Sequence, residues 1–207
     1  MKVLGVKMAV TNMVILFFAA LGLLKVIKMF MPHEKKEHMF LKKHTYGKPI
    51  VHWGGDAKLL VGNFCSIANN CNIYLGGNHR TDWVTTYPFG HINKNIFNNF
   101  NGKGHPSTKG DVIIGNDVWI GGNVTIMSGV TIGDGVVIAN NSHVVKNVEP
   151  YSLIGGNPAK LIKKRFTKEQ IDKLLEIKWW NWDDNKINKF TPLLCNEDIN
   201  NFIKSAF

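Results

Sequence analysis

Val112-Ile-Ile114-Gly, Val118-Trp-Ile120-Gly, Val124-Thr-Ile126-Met, Val130-Thr-Ile132-Gly, Val136-Val-Ile138-Ala and Ser142-His-Val144-Val follow one another between Asp111 and Val148. An aliphatic residue returns every sixth position, at 114, 120, 126, 132, 138 and 144. A second small or branched residue stands two places before each. A helix needs apolar spacing near 3.6, and an ordinary sheet does not hold a period of six for this long. A fixed short period marks one structural unit stacked on the next. Residues i−2 and i of a strand point the same way, so each hexad offers one inward pair. The frequent glycine after the aliphatic suits a corner of unusual φ and ψ. Three short faces then close a triangular coil, and each coil covers the apolar face of its neighbour.

Upstream, Leu59-Leu-Val61-Gly, Cys65-Ser-Ile67-Ala and Cys71-Asn-Ile73-Tyr supply three more hexads, one further coil. Cys65 and Cys71 fall on inward positions and read as small core hydrophobes. Between Ile73 and Ile114 lie 41 positions, not a multiple of six. Residues 76–110 therefore leave the coil as a long loop, and long loops in compact domains are usually functional.

The flanks differ in character. Met8 to Leu24 carries no charge, and lysines stand at 2, 7, 25 and 28. It lacks a clean small-x-small cleavage site and is short for a spanning helix. The readings are a helix packed on the body or on a sister subunit, an amphipathic membrane attachment, or a span. After Val148, Pro150 and Pro158 block regular continuation, so 149–160 reads as a final turn. Thr167-Lys-Glu-Gln170 matches a capping box. Ile171, Leu174, Leu175 and Ile177 follow at helical spacing. Asp183 and Asn196 are candidate caps of two further helices, which would shield the open end of the coil. The expected segments are 1–45, an apolar and basic lead; 46–160, the coil with its loop; and 161–207, a helical extension.

The net charge is +10. That suits nucleic acid, anionic membrane or phosphate-bearing ligands. Paired Cys/His finger spacing and RNP aromatics are absent, which argues against nucleic acid. Three cysteines imply no disulfide framework, so a reducing, cytoplasmic setting is expected, with attachment to a membrane an open alternative.

The hexads, the loop with Asn78-His79 and Thr86-Tyr-Pro-Phe89, and the tail Gly155-Gly-Asn-Pro-Ala-Lys160 with Trp179-Trp180 together resemble the hexapeptide-repeat acyltransferases. Within them the likeness is to the xenobiotic (streptogramin and chloramphenicol) acetyltransferase branch, which shades into sugar acetyltransferases. The resemblance covers roughly residues 45–205. It implies an all-β core, a left-handed parallel β-helix with an excursion loop, a C-terminal helical segment and, outside the resemblance, an N-terminal apolar helix. It also implies a homotrimer with sites between subunits, acetyl-CoA as co-substrate, no metal, and direct transfer without a covalent enzyme intermediate.

The transfer needs a general base, because an alcohol is a poor nucleophile until its proton is withdrawn. Histidine titrates in the right range, and His79 matches the family's catalytic histidine. Asn78 and Asp82 are candidates to orient its ring, and Gly121 or Gly122 to donate to the oxyanion. The resemblance places Trp119, Gly121, Ala139, Asn140 and Ser142 along the donor arm, with Ser142 inward by register. Lys146, Asn157, Pro158, Lys160 and Arg165 would lie near the nucleotide. Trp83, Tyr87 and His105 are candidate acceptor contacts. The first expectation is acetylation of a sugar hydroxyl or amine in glycan assembly, to which the apolar lead tilts the reading. The alternative is an antibiotic acceptor, and a remote one is a non-catalytic scaffold. A metal-dependent carbonic anhydrase on the same coil would need closely spaced histidines by the coils, which are missing.

Overall fold

The computed structural model describes residues 38–207. The expected apolar helix and the membrane readings of residues 8–24 fall outside them. No helix among the described residues is long and apolar enough to cross a membrane.

The hexads form very short strands: β1 (Met39–Leu41), β2 (Ile50–His52), β3 (Leu59–Val61), β4 (Ser66–Ile67), β5 (Asn72–Tyr74), β6 (Val112–Ile114), β7 (Trp119–Ile120), β8 (Thr125–Ile126), β9 (Thr131–Ile132), β10 (Val137–Ile138) and β11 (His143–Val144). They stack into three parallel faces. Face A runs β1-β3-β6-β9, face B contains β4, β7 and β10, and face C runs β11-β8-β5-β2. Trp119 pairs with Val137 and Thr125 with His143, each eighteen positions on, so one turn of coil is three hexads. Leu59, by contrast, pairs with Val112, 53 positions on. The surplus over one turn is 35 residues, the length of the 76–110 loop.

Inward positions form one continuous core. Ile67, Ile120, Ile138 and Ile154 line face B, each at most 4% exposed. Cys65 and Cys71 belong to it, their thiols donating to the carbonyls of Gly115 at 3.1 Å and Gly121 at 3.3 Å. Burial pushes both thiols up, away from the reactive thiolate.

Five expectations need correction. The coil starts at Met39, not at residue 46: β1 pairs with β3 and β2 with β5. Those turns span twenty residues (Met39 to Leu59) and twenty-two (Ile50 to Asn72), which hides them from a search for sixes. The glycines after the aliphatics do not supply unusual φ. A Cβ on Gly115 would stand 2.6 Å from Asp134 Oδ1, and one on Gly121 2.3 Å from Asn140 Oδ1. They are there for close approach between stacked turns. The left-handed positions of these corners come two residues after those glycines' place in the hexad, at Asp117, Asn123, Gly129, Gly135 and Asn141, with φ of 54, 58, 76, 65 and 59°, all types that tolerate that region. The tail does not end the sheet at Pro150: β12 (Ser152–Gly155) extends face B beside β10, and β13 (Lys160–Lys164) returns antiparallel to it.

The last two corrections concern the helices. The capping box forms as read, Thr167 with Gln170, and starts α1 (Lys168–Ile177). Asp183 caps α2 (Asp184–Leu194). The cap of α3 (Ile199–Ala206) is Asp198 rather than Asn196, because Asn196 Oδ1 is taken by the Asp198 N–H at 2.8 Å. These helices do not cover the end of the coil. They pack along the edge between faces A and B, where Phe64 and Tyr151 join Leu174, Trp180 and Phe202 in a second core.

Asp117 sits at this edge, with Arg165 Nη1 3.6 Å from Oδ2. Burial pushes the Asp117 carboxyl up, against the pull of Arg165. The folded chain therefore holds this proton to higher pH than the unfolded chain, and stability is lost as pH rises from about 3.8 through the raised value. Asp117→Asn, which tolerates the same φ, is expected to flatten that part of the pH dependence. Urea midpoints at pH 4 and pH 7 for both proteins check it; equal slopes would refute it.

Candidate active site

The excursion leaves the coil after β5 through Gly76-Gly77 and is pinned at its neck. Asn78 and Ser107 exchange backbone hydrogen bonds of 3.0 and 2.7 Å. Asn78 Nδ2 also donates to Ser128 Oγ at 2.9 Å. The amide thus faces the coil and does not orient His79. Asp82 does not either; it pairs with Arg80, whose guanidinium holds the Asp82 carboxyl down to about 2. The partner of His79 is a backbone group: Nδ1 lies 2.8 Å from the Thr86 carbonyl oxygen. A carbonyl can only accept, so this bond assigns the proton to Nδ1 and leaves the Nε2 lone pair free. A free Nε2 on a partly exposed imidazole can take a proton from a hydroxyl.

Trp83 and Tyr87 line a hollow of about 770 Å³ with Phe89, Ile96, Phe97 and Phe100. His105 does not line it. That ring is 2% exposed, stacked behind Trp83 and against His79. Burial, with His79, His91 and Arg80 nearby, pushes the His105 imidazole down, which disfavours its charged form.

Sequence reasoning missed Trp53. It is 63% exposed at φ 47°, and its ring occupies the space a Cβ on Gly77 would need. His52 and Tyr74 stack beside it at 4.5 Å. The available signal was an aromatic pair before Gly54-Gly55. The Thr86 carbonyl had no side-chain signal at all.

The donor-side candidates separate into groups. Trp119 projects from face B, and Gly121, Ala139 and Asn140 follow on the edge between faces B and C. Asn157 and Pro158, in the β12–β13 turn, join them: the His143 N–H meets the Gly156 carbonyl and the Ala159 N–H the His143 carbonyl, at 2.9 and 2.8 Å. Lys160 follows on β13, exposed. Ser142 is buried and donates to the Ala139 carbonyl at 2.6 Å, so its hydroxyl faces the core. Lys146 stands in the turn after β11, on the edge between faces C and A. Arg165 is bound to the Gly135 carbonyl and Asp117 at the third edge. It is therefore a structural cation there. The Gly121 N–H donates to the Ile138 carbonyl at 2.9 Å and the Gly122 N–H to Asn140 Oδ1 at 2.8 Å. The coil uses both, and neither is spare for an oxyanion. His79 shares its edge with Lys146, not with Trp119 or Asn140, so one chain does not bring base and donor-side residues together.

Among the described residues no cluster of His, Cys, Asp or Glu has the form of a metal site. Residues 111–146 match the bacterial transferase hexapeptide model of six repeats. A probable macrolide acetyltransferase of Lysinibacillus sphaericus is 53% identical, over 68% of this chain and 78% of its own. A chloramphenicol acetyltransferase of Klebsiella aerogenes is 46% identical, over 69% and 68%. Among solved structures, a hexapeptide-repeat acetyltransferase of Vibrio cholerae is 27% identical, covering 63% of this chain and 64% of that one, with a TM-score of 0.48. Stacked hexads, a histidine-bearing excursion and relatives of this identity have one meaning: the chain belongs to the hexapeptide-repeat acetyltransferases and is an acetyltransferase with acetyl-CoA as its co-substrate.

Proposed function

We propose that the chain acetylates a hydroxyl of a small, largely apolar acceptor of the antibiotic type, with His79 as general base, on a left-handed coil. The observation that carries this reading is the hollow beside the His79 loop, whose walls are mostly aromatic and aliphatic. Such walls favour an amphiphile that buries apolar surface and presents one hydroxyl. Relatives named for chloramphenicol and macrolides support the same class. The sugar expectation ranks second. It rested on the apolar lead, which lies outside the described residues, and a sugar would ask for more polar groups than this hollow offers.

In this reading His79 Nε2 takes the proton of the acceptor hydroxyl as its oxygen attacks the thioester carbonyl carbon. The bond from Nδ1–H to the Thr86 carbonyl holds the ring and stabilises its cation. Collapse of the tetrahedral intermediate breaks the C–S bond, and the proton on Nε2 passes to the departing thiolate. His79 and the donor-side group of Trp119, Gly121, Ala139, Asn140, Asn157 and Pro158 occupy different parts of the prism, Lys146 alone sharing the His79 edge, so in this reading a second copy supplies that group. We therefore propose the homotrimer, with sites in the clefts between copies. Free cysteines and a cytosolic co-substrate support a cytoplasmic location. The segments 1–45, 46–160 and 161–207 become, in the same proposal, a lead, a coil that starts a few residues early, and a helical edge.

Thiol release from acetyl-CoA, measured with chloramphenicol, a streptogramin, a macrolide and amino sugars, tests the assignment. Turnover of at least one antibiotic is expected. Turnover of the sugars alone would overturn it and restore the glycan reading.

A further inference from the structure

A column of four groups stands beside the hollow, and the mechanism above leaves most of it unused. The Arg80 guanidinium lies over the Trp83 ring, 5.1 Å from its centroid. Trp83 stacks on His105 at 5.6 Å and 27°. His105 meets His79 edge to face, at 4.8 Å and 71°. Most of the loop around it is exposed, yet His105 is buried. Its Nδ1 accepts the backbone N–H of Arg80 at 3.3 Å, which puts its own proton on Nε2. That Nε2 is buried without a partner. A phenylalanine would fill the space and strand no donor there. The imidazole is kept for its acceptor side. Arg80 follows His79 directly in the chain, so the bond at Nδ1 fixes the backbone that carries His79. The ring contact fixes the side chain.

We propose that His105 is a positioning residue for His79: it anchors the backbone through the Arg80 N–H and seats the imidazole through the edge contact. Buried behind Trp83, it does not touch acceptor or donor. Burial above all, with the Arg80 guanidinium nearby, opposes its protonation and favours the neutral acceptor. The effect runs through geometry. Nδ1 of His79 stays on the Thr86 carbonyl, and Nε2 stays aimed at the reacting hydroxyl. This inference rests on His79 being the base.

The test compares His105→Ala, His105→Phe and His79→Ala in the full chain, with acetyl-CoA and chloramphenicol, beside NMR of the protein labelled with ¹⁵N-histidine. A base misplaced by about 1 Å loses roughly a hundredfold in rate, so His105→Ala is expected to lower kcat about 100-fold. Both KM values should stay within about twofold, since no binding contact is lost. His105→Phe restores the ring but not the acceptor and should recover about tenfold of that loss. The His79 Nδ1–H resonance, protected by Thr86 in the parent, should vanish by exchange in His105→Ala. Full kcat in His105→Ala overturns the proposal, as does an unchanged resonance. So does a loss shared equally between kcat, both KM values and Tm. If His105→Ala does not fold, a His105→Phe protein with the parent's kcat overturns it. If the parent does not turn over chloramphenicol, the resonance decides. An inactive His79→Ala beside a fully active His105→Ala sinks this inference alone; a fully active His79→Ala sinks the base itself.

Discussion

His79→Ala is expected to lose about three orders of magnitude in kcat, the middle of the range for a positioned general base. KM for acetyl-CoA should hardly move, because Trp119, Gly121, Ala139, Asn140, Asn157 and Pro158 lie on or beside face B, away from the edge that carries His79. The prediction follows from one bond. The Thr86 carbonyl oxygen 2.8 Å from Nδ1 can accept and cannot donate, so the ring presents a lone pair and not a proton to the acceptor. Steady-state kinetics on purified protein, with the acceptor identified by the thiol-release screen, checks it. His79→Asn should fare no better, since an amide fills much of the space but is not a base. A variant with more than a tenth of the parent's kcat would show that the proton leaves by another route.

The coil was legible because its constraint is periodic. An inward pair must return each time the chain crosses a face, so Val112–Ile114 and Val118–Ile120 announce the next pair before any coordinate exists. The first coil escaped for the converse reason. Its turns of twenty and twenty-two residues still deliver Leu41 and Val51 to the core, but no longer at a multiple of six. The helices were legible one by one through their caps. Where they dock was not, because docking depends on Phe64 and Tyr151, residues that lie 87 positions apart and read as turn residues. Asn196 was mistaken for a cap because Asn and Asp serve equally at that position; only the Asp198 N–H, bent back onto Asn196, separates them. At the site, His79 was singled out by the family resemblance of its loop, and the groups that hold its ring carried no comparable signal. A backbone carbonyl carries no side-chain signature. His105 and His79 lie 26 positions apart and meet only because the neck at Asn78 and Ser107 closes the loop. The opposite error was to assign Gly121 a role by its place in the chain. Its N–H is part of the ladder, and that is a property of the stacked turns rather than of the residue.

Ile120→Ala and Trp119→Ala, one position apart, are expected to fail in opposite ways. Ile120 is 0% exposed and sits mid-column on face B, between Ile67 below and Ile138 above. Truncating it leaves a cavity in a core only one side chain thick, walled by backbone that its ladder bonds hold in place. The neighbours cannot collapse far, so the cost belongs in the upper part of the usual range of about 2–5 kcal/mol. A urea titration should show a lower midpoint at an unchanged slope. Folded Ile120→Ala protein should keep its kcat, because the column turns its back on the reaction. Trp119 is 57% exposed on the outer side of the same strand. Its ring fills no core, so Trp119→Ala should move the urea midpoint little. As the proposed neighbour of the donor arm, it should instead raise KM for acetyl-CoA, by roughly tenfold for a lost aromatic contact of about 1.4 kcal/mol. The pair separates the two jobs of a two-residue strand. If Ile120→Ala proved as stable as the parent, the inward column would not be the core. If Trp119→Ala kept its donor KM and lost stability instead, the outer face of β7 would be packing surface, and the donor would have to lie elsewhere on the prism.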